Sequence, residues 1–207
     1  MLKNIIFDLG GVIYDIRYQN VPEAFARLGV LQFEEKYTQS AQTEAIDLFE
    51  EGKISVGEFR NYIRSLSTVS LSDSQIDEAW NAIMIDIPEE RIEYLQQLKN
   101  QYNLFLFSNT NQLNYDSFTA AMYKKFGFDI FKELFIKAYF SHELHIRKPH
   151  PEAFRKIVEE QHLNPKETLF IDDTLRHVEG ARKAGLQGYH FQTGKEEIWN
   201  VMDKILG

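Results

Sequence analysis

Cysteine is missing from all 207 residues, which excludes both a disulfide framework and a thiolate metal site. Long apolar runs are missing too. The first one, MLKNIIF, meets Asp8 six residues after Leu2, too short for the apolar region of a signal peptide. No stretch approaches the roughly 18 apolar residues of a membrane span. The expected location is therefore the cytoplasm, with no membrane partner. Positive charge is scarce: 31 acidic against 23 basic residues leave a formal net charge of −8. An acidic surface repels nucleic acid and anionic lipid, so neither is an expected partner, and an anionic substrate must be held by a local positive site. Internal repeats and low-complexity tracts are also lacking. What is present is the composition of a folded protein, 43% hydrophobic and 26% charged, at a length that suits one domain or one domain with an insertion.

Three short apolar runs end in polar residues. Asn4-Ile5-Ile6-Phe7 ends at Asp8, Leu104-Phe105-Leu106-Phe107 at Ser108, and Thr168-Leu169-Phe170-Ile171 at Asp172-Asp173. Continuous apolar runs of this length read as strands buried on both faces of a parallel sheet. Helical patterns lie between them. Pro88 suits the first turn of a helix carrying Ile92, Leu95 and Leu98, and Pro151 opens one carrying Phe154, Ile157 and Val158. Thr174 suits the cap of a helix that Gly185 would end. Alternating strands and helices predict a doubly wound, Rossmann-like α/β sheet, whose ligands bind beyond the carboxyl ends of the strands. The stretch from Tyr18 to Asp86 differs. It shows no convincing strand, and its apolar residues fall at helical spacing in three places, around Phe49, Phe59 and Trp80. It reads as an inserted α-helical unit over residues 18–86, between a core of residues 1–17 and 87–207.

The strand-end residues, and Lys148 just before the helix that Pro151 opens, are candidates for chemistry, each beside a plainer reading. Asp8, followed by Gly10 and Gly11, can be a nucleophile, a metal ligand or a base, or it can cap a turn. Ser108-Asn109-Thr110 can bind an oxyanion through a hydroxyl and backbone N–H groups, or can cap the next helix. Lys148, in Arg147-Lys148-Pro149, is a point charge suited to phosphate or a solvated surface lysine. Asp172 and Asp173 are the most informative. Like charges ~5 Å apart repel by about 3 kcal/mol at an effective dielectric near 20. A hard divalent cation such as Mg²⁺ removes that penalty. One acid at a helix start is explained by the helix dipole; two at a buried strand end are harder to explain.

In order, spacing and placement, these four signatures resemble those of the haloacid dehalogenase (HAD) superfamily, from Ile5 to Gly185. The resemblance implies an aspartate nucleophile at Asp8 and a phosphoryl-binding hydroxyl at Ser108, with Asn109 beside it. It implies a charge-neutralising lysine at Lys148 and an Mg²⁺ site from Asp8, the Gly10 carbonyl and Asp173, with Asp172 direct or through water. The helical insertion corresponds to the family's cap, and its Glu51-Gly52-Lys53 turn resembles the loop that dips towards substrate. The implied reaction is hydrolysis of a small phosphorylated metabolite through an aspartyl-phosphate at Asp8.

One departure stands out. Phosphatases of this superfamily usually carry a second aspartate two residues after the nucleophile, as general acid and base; here that residue is Gly10. Such a group contributes typically ~10²–10⁴-fold in rate. The pattern FDLGGVIYD with SNT and RKP is similar to a subgroup containing bacterial α-glucose-1-phosphate phosphatases, which also lack that acid. Asp15 or a cap residue such as Glu51 could substitute. Rival readings are a 2-haloacid dehalogenase, for which the Asp172-Asp173 pair is unexpected, a catalytically weak phosphate-ligand binder, and a phosphomutase. His142, His145 and His150 read as loop or surface residues. The aromatic residues Phe118, Phe126, Phe128, Phe131 and Phe135 read as core. Monomer and homodimer both stay open.

Overall fold

The protein is described by a computed structural model covering residues 1–38 and 42–206; residues 39–41 of the expected insertion, and 207, lie outside the described residues. The chain enters on strand β1 (Asn4–Phe7), makes a short strand β2 (Asp15–Ile16) and leaves the sheet for helices α1 (Asn20–Arg27), α2 (Glu44–Glu50), α3 (Val56–Ser65) and α4 (Asp73–Asn81). It returns on β3 (Met84–Asp86) and α5 (Glu89–Leu98), followed by β4 (Asn103–Ser108), α6 (Gln112–Phe126), α7 (Ile130–Leu134), β5 (Lys137–Phe140) and α8 (Ser141–Leu144). Helix α9 (Pro151–Glu160), β6 (Thr168–Asp172), α10 (Leu175–Lys183), β7 (Gln187–His190) and α11 (Ile198–Leu206) complete it.

Five strands form one parallel sheet in the order β5-β4-β1-β6-β7. Phe7 lies opposite Leu106 on one side and Ile171 on the other. The residues just beyond that register, Asp8, Ser108 and Asp172, therefore emerge together at the carboxyl edge. Successive side chains take opposite faces. Ile5, Phe7, Leu104, Leu106 and Ile171 face α5, α6 and α11, whereas Ile6, Phe105, Phe107 and Phe170 face α9 and α10. This is the doubly wound architecture that the three apolar runs predict.

Helices α1–α4 gather a separate apolar cluster around Phe25, Phe33, Phe49, Phe59 and Trp80. Phe49 and Phe59 stack at 4.1 Å, and Trp80 packs on Phe59 at 4.7 Å. Ser55 with Glu58 and Ser72 with Gln75 form capping boxes that start α3 and α4, each satisfying backbone N–H groups the helix leaves open.

Several local expectations need correction. Residues 18–86 do contain a strand: β3 pairs antiparallel with β2, so the chain leaves and re-enters by adjacent segments. Three residues without apolar alternation gave no strand signal. Pro88 is the N-cap of α5, with extended φ/ψ, and the first turn starts at Glu89. Pro151 does occupy the first turn of α9, and Gly185, at φ +94°, follows the end of α10. Phe118, Phe131 and Phe135 are buried core residues, with Phe126 and Phe128 packed against them. Among the described residues, no helix is long and apolar enough to cross a membrane.

Candidate active site

Asp8 leaves β1 with its N–H donated to the Ile171 carbonyl at 2.9 Å and one carboxylate oxygen accepting from the Leu9 N–H at 2.7 Å. The carboxylate is thus aimed by backbone on both sides. Gly11 takes φ +77°, and a Cβ there would overlap the Asp173 carboxylate. A glycine is needed both for the left-handed backbone and for the close approach of the β1 turn to Asp173.

Lys148 is wholly buried, its Nζ 2.8 Å from Asp8 Oδ1 and 2.7 Å from Asp172 Oδ2. The loop that carries it is fixed by Asn109, whose amide accepts from the Lys148 N–H at 2.9 Å and donates to the Lys148 carbonyl at 3.0 Å. Burial disfavours the ammonium, but Asp172 and Asp8 outweigh it and hold Lys148 above its ordinary pKa. Asp172 also accepts from the Thr174 N–H at 2.7 Å and from His177 Nδ1 at 3.1 Å. Burial works against its charge, yet Lys148 and His177 prevail, and Asp172 titrates well below the usual carboxylate range. Asp8 moves the other way. Burial and the Asp172 charge push it well up, with Lys148 pulling back. Burial and Asp172 likewise push Asp173 up to about 6.

Ser108 sits buried at the end of β4. The loop after it is pinned by Ser141, whose Oγ accepts from the Thr110 N–H at 2.9 Å and donates to the Glu50 carbonyl at 2.6 Å. Asn111, not Asn109, caps α6, accepting from the Asn114 N–H at 3.1 Å. One pocket is lined by Asp8, Gly10, Ser108, Asn109 and Lys148. Asp172 is outside the lining but tied to the cluster through Lys148. The Asp173 carboxylate accepts from the Thr174 hydroxyl at 3.2 Å and the Thr193 hydroxyl at 3.4 Å, and feels the cluster through its charge. Glu51 is absent from the lining; its carboxylate pairs with Lys53 at 2.7 Å. Its neighbour Glu50 lines the pocket instead.

Several pocket residues carried no sequence signal, Tyr18, Tyr37, Glu50 and His177 among them. Of these, His177 was the most accessible to reasoning, being five residues after Asp172 and so one helical turn into α10. Asp8, Asp172 and His177 place ligand atoms within 4.8 Å of one another. His142, expected in a loop or at the surface, is in α8 and buried, with Nδ1 3.1 Å from the Thr110 carbonyl, and burial lowers its pKa. His145 Nδ1 lies 3.0 Å from the Glu51 carbonyl, and His150 is the N-cap of α9.

The site is an acid-rich cluster around one lysine at the carboxyl edge of a parallel sheet, and the sequence matches the haloacid dehalogenase-like hydrolase family over residues 2–185. The chain belongs to that family. It is 30% identical to the D-ribitol-5-phosphate phosphatase of Bacteroides thetaiotaomicron over 196 residues, 95% of each chain. A HAD family enzyme from that organism, crystallised with magnesium and inorganic phosphate, superposes with a TM-score of 0.87 at 32% identity, over 97% of this chain and 99% of that one. A predicted HAD-like hydrolase from Porphyromonas gingivalis gives a TM-score of 0.89 at 28% identity, over 100% and 99%.

Proposed function

We propose that this HAD family chain is a Mg²⁺-dependent phosphatase that hydrolyses a small phosphate monoester, of the polyol or sugar class, through an aspartyl-phosphate on Asp8. The observation that carries this reading is the Asp8–Lys148 contact of 2.8 Å at the floor of a pocket also lined by Ser108. The kinship with a ribitol-phosphate phosphatase favours a polyol ester. Asp8 and Asp172 contact one buried lysine and Asp173 lies within reach of the same charges, so full ionisation of the three leaves two uncompensated negative charges, which a divalent cation would balance. The donors are hard oxygens, which suits Mg²⁺. Asp8, the Gly10 carbonyl and Asp173 would hold it. Asp172 spends its oxygens on Lys148, Thr174 and His177, and acts as the support that aims Lys148. Bound there, the ion neutralises charge on the phosphoryl oxygens.

Asp8 attacks phosphorus in line with the leaving oxygen. Ser108 Oγ and the backbone N–H groups around Asn109 hold the equatorial oxygens, while Lys148 balances the charge they gather. Residues 18–86 serve as a cap over a core of residues 1–17 and 87–207, contributing Tyr18, Tyr37 and Glu50 to the pocket wall and excluding water. Attack on carbon, as in a 2-haloacid dehalogenase, would need no cation and would leave the acid cluster unbalanced. The test is phosphate release from para-nitrophenyl phosphate and ribitol 5-phosphate, with Mg²⁺ and with chelator, by wild type and Asp8→Asn. Turnover that survives chelation or the substitution overturns the reading, and metal-independent halide release would establish the rival.

A further inference from the structure

Hydrolysis of an alkyl phosphate needs a proton on the departing oxygen, and Gly10 has none to give. The two substitutes suggested by sequence do not reach the pocket. Asp15 is held by Arg91 at 2.7 Å and Glu51 by Lys53 at 2.7 Å, and neither lines the cavity. Among the described residues, the acids that line it are Asp8 and Glu50. Glu50 ends α2 and is 6% exposed. Its Oε2 lies 3.0 Å from the Arg147 guanidinium and its Oε1 3.3 Å from the Gln42 amide. Its own carbonyl is clamped by Ser141 to the loop that follows Ser108. The carboxyl is therefore fixed relative to the phosphoryl-binding loop, although it comes from the helical unit.

We propose that Glu50 is the general acid and base of this enzyme, replacing the acid absent at Gly10; the proposal rests on the phosphatase reading above. In the first half-reaction an Asp8 oxygen bonds to phosphorus, the bond from phosphorus to the leaving oxygen breaks, and the Glu50 proton passes to that oxygen. In the second, a water oxygen bonds to phosphorus, Glu50 takes the water proton, and the bond from Asp8 to phosphorus breaks. Alcohol and phosphate leave, and both carboxyl groups return to their starting states. The surroundings suit this exchange. Burial pushes the Glu50 carboxyl up to about 7, while Gln42, Arg176 and Lys148 pull it down and Glu51 adds to the rise. Arg147 steadies the ionised form. Tyr18 and Tyr37 stay protonated, since burial raises both phenols.

The experiment compares Glu50→Gln with wild type on two esters: para-nitrophenyl phosphate, whose leaving group departs without a proton, and ribitol 5-phosphate, an alkyl ester. The expected fall in kcat/KM is about 10²–10⁴-fold for the alkyl ester and under about 10-fold for the aryl ester. Because water activation is lost too, the variant should release a burst of nitrophenol equal to the enzyme present. The decline of alkyl kcat/KM above about pH 7 in wild type should vanish. Equal losses on both esters, or no loss on the alkyl ester, would overturn the assignment. If Glu50→Gln does not fold, the same ratio is read in Glu50→Asp, which draws the carboxyl back by one methylene. A wild type that hydrolyses neither ester defeats the phosphatase reading and this proposal with it, a result distinct from a selective defect at Glu50.

Discussion

Glu50 also makes a prediction about folding that needs no substrate. Its carboxyl moves from an ordinary 4.5 to about 7 on burial. Such a rise is equivalent to about 3 kcal/mol, because each tenfold change in proton affinity is ~1.4 kcal/mol. The folded state holds the extra proton between those two values, so stability falls as pH rises through that window. The contribution is fully present below about pH 4.5 and gone above about pH 7. Glu50→Gln cannot titrate, while every other group is shared with wild type. The stability of the variant relative to wild type should therefore climb by about 3 kcal/mol between pH 4.5 and pH 8. Urea denaturation at half-unit steps of pH, in chelator, measures that difference directly. Parallel curves would mean that burial does not govern this carboxyl. A difference that shrinks with pH would mean that Arg147, 3.0 Å away, outweighs burial.

Three further substitutions test the rest of the site. Lys148→Met removes the buried cation between Asp8 and Asp172 and should destabilise the protein by about 3–5 kcal/mol while abolishing turnover; an unchanged melting temperature refutes the bracketing geometry. Gly11→Ala forces an L-residue into the left-handed region, at about 1–2 kcal/mol, and pushes its methyl into Asp173. Its activity should demand several-fold more Mg²⁺, measured by titrating the metal at fixed substrate, and an unchanged requirement removes Asp173 from the metal site. Trp80→Phe deletes the 3.1 Å bond from Trp80 Nε1 to Asn111 Oδ1 and shrinks a buried side chain. A loss of about 1–3 kcal/mol is expected, read by urea denaturation with Trp199 as the remaining fluorophore.

The parts of the fold legible in sequence are those where one residue type has one use. Strands β1, β4 and β6 are buried on both faces, so continuous apolar runs reported them. Strands β5 (Lys137–Phe140) and β7 (Gln187–His190) lie at the sheet edges and expose part of their side chains, so no run marks them. Asp8, Ser108 and Asp172 were legible as candidates because strand ends concentrate polar groups at one edge, and Lys148 because it precedes a proline-marked helix start. Glu50 was missed by a single position. Helix α2 stops at Glu50, and the next residue turns to Lys53, a choice set by the contacts of Ser141 and Arg147, whose sequence separations are about 90 residues or more. No local pattern encodes such contacts. His177 escaped because a lone histidine in a helix most often has no ligand; only its Nδ1 contact with Asp172 gives it meaning.

Arg147 and Lys148 show how an acidic chain makes a site for an anion. They are consecutive, yet they answer to different parts of the molecule. Lys148 serves Asp8 and Asp172 of the sheet, and Arg147 pairs with Asp47 and Glu50 of α2. Asn109 fixes the backbone between those two duties and belongs to the loop beside Ser108. Movement of α2 away from the sheet must therefore break the Arg147 pairs on the very loop that holds the lysine. Losing one partner of a buried pair is worth roughly 3–5 kcal/mol unless something replaces it. Both cations line the pocket, so an incoming phosphate monoester would bring negative charge to the same segment. The contacts that tie α2 to the core and those that assemble the charged pocket are thus carried by one segment of chain, residues 147–148.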